Sequence, residues 1–94
     1  MSVLLRSSSI VRRDPKVELL TTDGVSLLVD DSPTVRAINE VAASVWKQLD
    51  GRHSVATIVS TLGEEYEAAP EQIERDVLGF LNEVCVWRLA EVIG

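Results

Sequence analysis

The spacing of apolar residues changes at Asn39. Before it, apolar residues fall in short β-branched and aliphatic runs separated by turn formers. Val17–Thr22 and Val25–Val29 flank Asp23-Gly24, the dipeptide most favoured in a two-residue hairpin. In the second run Val25, Leu27 and Val29 share one face, while Leu28 adds an apolar residue to the other. Asp30-Asp31-Ser32-Pro33 forms a second turn, and Thr34–Ile38 a third strand. The expected result is a three-stranded antiparallel meander with its third strand at an edge.

After Asn39 the period is helical. Ala42, Val45, Trp46 and Leu49 recur at i, i+3, i+4 and i+7. Asn39 is the expected N-cap, Glu40 suits the positive end of the helix, and Asp50-Gly51 is expected to close it. Trp46 is the expected centre of the core. Arg52-His53 reads as a loop and Ser54 as the cap of a second helix, with a stripe of Val55, Ile58, Val59, Leu62 and Tyr66. Gly63 weakens the last turn of that helix. Pro70 fits the first position of a third helix, whose stripe is Ile73, Val77, Phe80, Leu81 and Val84. Trp87 and Leu89 either finish this helix or begin a short extended tail. The order is β-β-β-α-α-α, an α+β domain resembling a winged helix-turn-helix with the sheet as a wing ahead of the helices. Residues 1–16 read as an irregular N-terminal arm and 17–94 as the domain. Ser7-Ser8-Ser9 is a soft linker within the arm, and Ile10-Val11 at most a brief extended segment.

The chain has 94 residues, 46% hydrophobic but only 4% aromatic, so a single domain with an aliphatic core is expected. One cysteine excludes an internal disulfide and fits a reducing compartment. No apolar run approaches the length of a membrane span, and the N-terminal apolar stretch is too short for a signal peptide. A cytoplasmic protein that does not engage membrane is the expectation. The net charge is −6. Arg6, Arg12, Arg13 and Lys16 against Asp14 give the arm +3, which leaves −9 on the rest.

Charge bears on the helix-turn-helix likeness. The helix that would enter a DNA groove carries Glu71, Glu74, Asp76 and Glu83 against Arg75 alone. Such a surface repels phosphates, so a nucleic-acid partner is not expected. Candidate chemistry is also sparse. His53 and Cys85 are the only residues of their kinds, and they lie far apart in the pattern of elements. Two potential ligands fall short of a structural zinc set. Glu64-Glu65, and Glu71 with Glu74, sit at helix ends and read as solvated or dipole-matched carboxylates. The glycines are scattered and build no phosphate loop. The expectation is no catalysis, no metal and no cofactor.

A binding module remains. An edge strand presents unpaired N–H and C=O groups on which an extended peptide can add as a further strand. The candidate edge is Thr34, Val35, Arg36, Ala37 and Ile38. The third helix would supply a wall. One flank of it carries Glu71, Arg75, Leu78, Asn82 and Cys85. Arg75 would pair with an acidic side chain, while Leu78 and Cys85 would take apolar ones. The plainer reading has Leu78 and Cys85 packing on the N-terminal arm and Arg75 pairing with Glu71 along the helix. The same edge could instead pair with a second copy and give a homodimer or a structural assembly.

The ordered string Ile38-Asn39, Ala42, Val45-Trp46 and Leu49-Asp50-Gly51, followed by Ser54-Val55, resembles the core of PqqD-like proteins. Ile58, Leu62 and Tyr66 fit the spacing of that family's next helix, and Asp76-Val77, Phe80-Leu81 and Val84 that of its last. The similarity runs over residues 17–90. It implies a non-catalytic peptide chaperone, the recognition element of a pathway that modifies ribosomally made peptides. Such a domain binds the leader region of a precursor as an added strand between the third strand and the third helix. It presents the peptide to a modifying enzyme, as in the system of PqqA and the radical SAM enzyme PqqE in pyrroloquinoline quinone (PQQ) synthesis. Carried over, the groove is Thr34–Ile38 facing Arg75, Leu78 and Asn82. This sequence departs from the family in three places. Ile38 replaces the usual leucine, Arg88 stands where glycine is frequent, and Asp30–Pro33 lacks a Pro-Glu-Gly-like stretch. Many relatives serve peptide pathways other than that of the quinone.

Overall fold

The computed structural model describes residues 5–31 and 34–94. Its elements in chain order are β1 (Ile10–Arg13), β2 (Glu18–Thr22), β3 (Val25–Val29), β4 (Val35–Ile38), α1 (Glu40–Lys47), β5 (Asp50–Ser54), α2 (Val55–Glu65), α3 (Pro70–Val86) and β6 (Ala90–Val92). The fold is α+β, with two antiparallel three-stranded sheets rather than one. The expected meander is present as β2-β3-β4, and a second sheet runs β5-β1-β6.

The meander follows from its turn chemistry. Asp23 and Gly24 both take positive φ, 51° and 77°, as a type I′ turn requires, and Thr22 faces Val25 across it. β3 is central, with Leu28 opposite both Leu19 and Arg36. Ser26 and Leu28 turn inward and are buried, while Val25 on the opposite face is 48% exposed. Of the second turn, Ser32 and Pro33 lie outside the described residues. Asp30 closes its near end by accepting the Thr34 N–H at 2.9 Å.

The helices bury the stripes read from spacing. Asn39 Oδ1 accepts the Ala42 N–H at 2.8 Å, and Ser54 Oγ that of Thr57 at 3.2 Å. Val45, Trp46, Leu49, Ile58, Leu62, Val77, Leu81 and Val84 are all 2% exposed or less. Burying one such side chain stabilises the fold by about 1.5–3 kcal/mol.

The arm is where the structure departs most from the sequence reading. Ile10–Arg13 is the middle strand of the second sheet, and Val11 is 1% exposed. Ser7 and Ser9 are no linker. Their carbonyls accept the N–H groups of Ala56 and Val55, both at 2.9 Å, and so satisfy two orphan donors at the start of α2. Asp50-Gly51 does not close α1, which ends at Lys47. Gly51, at φ 83°, sits instead in a bulge where β1 advances two residues while β5 advances four. Arg52 and His53 belong to β5 rather than to a loop. Leu89 follows a helix end made without glycine, and Ala90–Val92 pairs with β1.

Candidate functional site

β4 hydrogen-bonds to β3 on one side only. Among the described residues no strand pairs with its other edge. Among the described residues, Val11–Arg13 of the arm and Ala90–Val92 of the tail pair with each other, in the second sheet, and not with that edge. The strand is four residues long and alternates. Val35 (56% exposed) and Ala37 face outward. Arg36 and Ile38 turn toward the helices and are half-buried.

Beside the edge lies a groove of about 410 Å³. Ala37, Ile38, Asn39 and Val41 form one wall, and Arg75, Asp76, Gly79, Phe80, Glu83 and Trp87 the other. Gly79 widens it, since a Cβ placed there would meet nothing within 4 Å. A mid-helix glycine costs about 1 kcal/mol relative to alanine, so the width has a cost in stability. The Arg36 guanidinium stacks on the Trp87 ring, 4.2 Å from its centroid. Stacking of this kind contributes about 0.5–2 kcal/mol and orients the cation. Arg36 Nε is buried and has no hydrogen-bond partner.

The structure divides the residues expected at the site. Val35, Arg36, Ala37 and Ile38 form the edge strand, with Thr34 just ahead of it, and Arg75 reaches the groove. Leu78 and Cys85 are elsewhere. Leu78 lines a smaller cleft of about 350 Å³ with Leu5, Arg6 and Ser7 of the arm. Cys85 lines a cavity of about 1070 Å³ with Arg12, Arg13 and Arg88. Asn82 is half-buried and borders neither the groove nor these two cavities. The cause is helical phase. The stripe Ile73, Val77, Leu81 and Val84 fixes which side of α3 is buried. At roughly 100° per residue, Phe80, Glu83 and Trp87 lie to one side of it, and Leu78 and Cys85 to the other. Choosing between flanks needed the position of β4. Trp87, seven residues after Phe80, was the available signal for the groove side.

In the cavity beside Cys85, two of the three arginines are already engaged. Arg12 pairs with Glu91. Arg13 donates to the carbonyls of Trp46 and Lys47, at 3.4 and 3.2 Å, at the C-terminal end of α1. Burial pushes the Cys85 thiol up, away from the thiolate a nucleophile needs. His53 Nδ1 lies 2.9 Å from Asp50 Oδ1 on the surface. That hydrogen bond, with one from the Arg52 N–H, holds Asp50 down to about 2. Among the described residues no group of three or more His, Cys, Asp or Glu is placed to hold a metal, and no helix is long and apolar enough to cross a membrane.

Known proteins share this sequence pattern and this fold. The family model for coenzyme PQQ synthesis protein D (PqqD) matches residues 24–85. A PqqA binding protein of Rhizobium meliloti (strain 1021) is 30% identical over 57 residues, 61% of this chain. The match spans 58% of that relative's length. The solution structure of the PqqD truncation of Methylobacterium extorquens PqqCD, a stand-alone recognition element of a ribosomally synthesised and modified peptide system, superposes with a TM-score of 0.80 and 28% identity. That match covers 94% of this chain and 95% of the other. A lasso peptide synthetase B1, solved with its leader peptide, superposes with a TM-score of 0.73 and 27% identity over 86% of this chain and 96% of that one.

Proposed function

The chain belongs to the PqqD family, and from that premise we propose that it recognises the leader region of a ribosomally made precursor peptide. The leader adds as a strand along the outer edge of β4, and its inward side chains enter the groove against α3. The observation that carries this reading is the uncovered β4 edge lying directly beside that groove. Backbone hydrogen bonds from Thr34–Ile38 supply affinity, and the groove selects side chains. Arg75 sits where it can meet an acidic group on the guest.

The recognition role of the M. extorquens relative and the leader peptide held by the lasso synthetase B1 support the same reading. In it the chain catalyses nothing itself. It presents the peptide to a radical SAM or other modifying enzyme, in PQQ synthesis or a related pathway, in the cytoplasm. α2 and α3 act as a helix-turn-helix-like support, and the β2-β3-β4 sheet is the wing that receives the guest.

The test uses labelled leader peptides from precursor genes neighbouring this one, titrated into the full chain. Saturable binding with amide shifts at Val35–Ile38 and along the Asp76–Trp87 flank is expected. Gly79→Met fills the groove and should weaken binding about tenfold or more, at no loss of thermal stability, since glycine is the poorer helix former. Shifts confined to β1, β5 and β6 would overturn the proposal.

A further inference from the structure

We infer that the guest strand carries a carboxylate, read by Arg36, two residues from an apolar side chain held in the groove. This deepens the strand-addition reading and rests on it. Arg36 lies on the inward face of β4, and its partner across β3 is Leu28, which offers no hydrogen bond. One face of the guanidinium is covered by Trp87. Nε is buried without a partner. Neither ion pair among the described residues, Arg12–Glu91 or His53–Asp50, involves Arg36.

A buried donor left unsatisfied is costly, so such groups are nearly always paired in the state that matters for function. Arg36 shares the inward face of β4 with Ile38, which lines the groove, and its ring partner Trp87 lines the groove as well. A residue opposite Arg36 in the guest strand would face the same way, with its Cβ about 4.5–5.5 Å from that of Arg36. A carboxylate at this distance can accept from two guanidinium nitrogens together once the side chain turns toward the guest, the two-pronged geometry that arginine favours. Stacking on Trp87 fixes the plane of the fork in advance, which lowers the ordering cost on binding.

The second half of the motif follows from the pleat. Arg36 and Ile38 are two apart and face the same way, so guest residues opposite them are also two apart. The one near Ile38 meets Ile38, Val41 and Phe80 at the groove mouth and should be apolar. The chemistry recognised is thus an extended segment of the form acidic–any–apolar or its reverse, according to strand direction.

The experiment selects binders to the full-length chain from a displayed random dodecapeptide library and maps selected peptides by amide shifts. Pools enriched in Asp or Glu at one position, one residue removed from an apolar position, are expected. Changing that acid to its amide in a selected peptide should weaken binding about tenfold or more. The penalty should vanish against Arg36→Gln and persist, reduced, against Arg36→Lys. The peptide-side substitution needs no protein variant, so the outcome stands even if Arg36→Gln misfolds. Binders that shift β4 amides yet show no acid preference overturn the inference and leave strand addition standing. Binders that shift no β4 amide overturn strand addition, and the acid reading with it.

Discussion

Arg88 shows how a single residue can hold a conformation it does not favour. It follows the C-cap of α3 with φ at 62°, the left-handed region where glycine is usual. The motif closes regardless. The Arg88 N–H bonds the Cys85 carbonyl at 3.1 Å and the Leu89 N–H that of Val84 at 2.9 Å, the two bonds of a Schellman turn. A side chain in that region costs about 1–2 kcal/mol. Arg88→Gly should therefore raise stability by about 0.5–1 kcal/mol after the added freedom of the unfolded chain is discounted. Urea unfolding would read this as a higher midpoint at unchanged slope, and a lower midpoint would contradict it. Asp50 offers a pH test. With His53 and the Arg52 N–H bonded to it, its carboxyl is held at about 2 rather than the ordinary 3.8. A depressed folded value means stabilisation present above the unfolded value and lost as pH falls from about 4 through about 2. Carboxyl carbon shifts should show Asp50 titrating near 2 and moving upward in His53→Ala. An unmoved titration would remove His53 as the cause. Residue-scale signals were legible where one side chain has one job. Asn39 and Ser54 cap as their types suggest, and Asp23-Gly24 turns as such pairs do. Asp50-Gly51 was ambiguous, because glycine at positive φ ends helices and also builds bulges.

At the scale of elements, the strands visible in the sequence were those with a run of apolar residues. β2, β3 and β4 each had one. β1, β5 and β6 read IVRR, DGRHS and AEV, with no alternation long enough to stand out. They exist because their partners do. β1 pairs with β5 about forty residues later in the chain and with β6 about eighty later, contacts that no local pattern encodes. The arm therefore belongs to the fold, and its removal should show it. Deleting residues through Arg13 exposes the partners of Val11, removes two ladders and frees the first N–H groups of α2. A domain of this size has about 5–15 kcal/mol of stability in all, so cooperative thermal unfolding should be lost. A truncated chain that melts as sharply and as high as the whole would place the arm outside the fold. The third helix was legible in extent and buried stripe but not in function. The side of α3 that meets β4 depends on tertiary placement, and so Phe80, Glu83 and Trp87 rather than Leu78 and Cys85 border the groove.

The whole molecule separates two tasks between its sheets. β5-β1-β6 ties Ile10–Arg13 to Ala90–Val92, segments about eighty residues apart in the chain. Among the described residues β2 and β4 each leave one border of the β2-β3-β4 sheet unmatched, and that of β4 lies beside the groove. Ile10–Arg13 and Ala90–Val92, paired in the second sheet, do not occupy that border. Recognition by strand addition requires the β4 border to be vacant in the free protein and filled by the leader. Amide hydrogen exchange along Val35–Ile38, with and without a bound leader peptide, tests this most directly. Alternate amides of β4 should exchange rapidly in the free chain, since only one side of the strand is paired, and should become protected when the peptide is added. Uniform protection before the peptide is added, or fast exchange that persists at saturation, would contradict it.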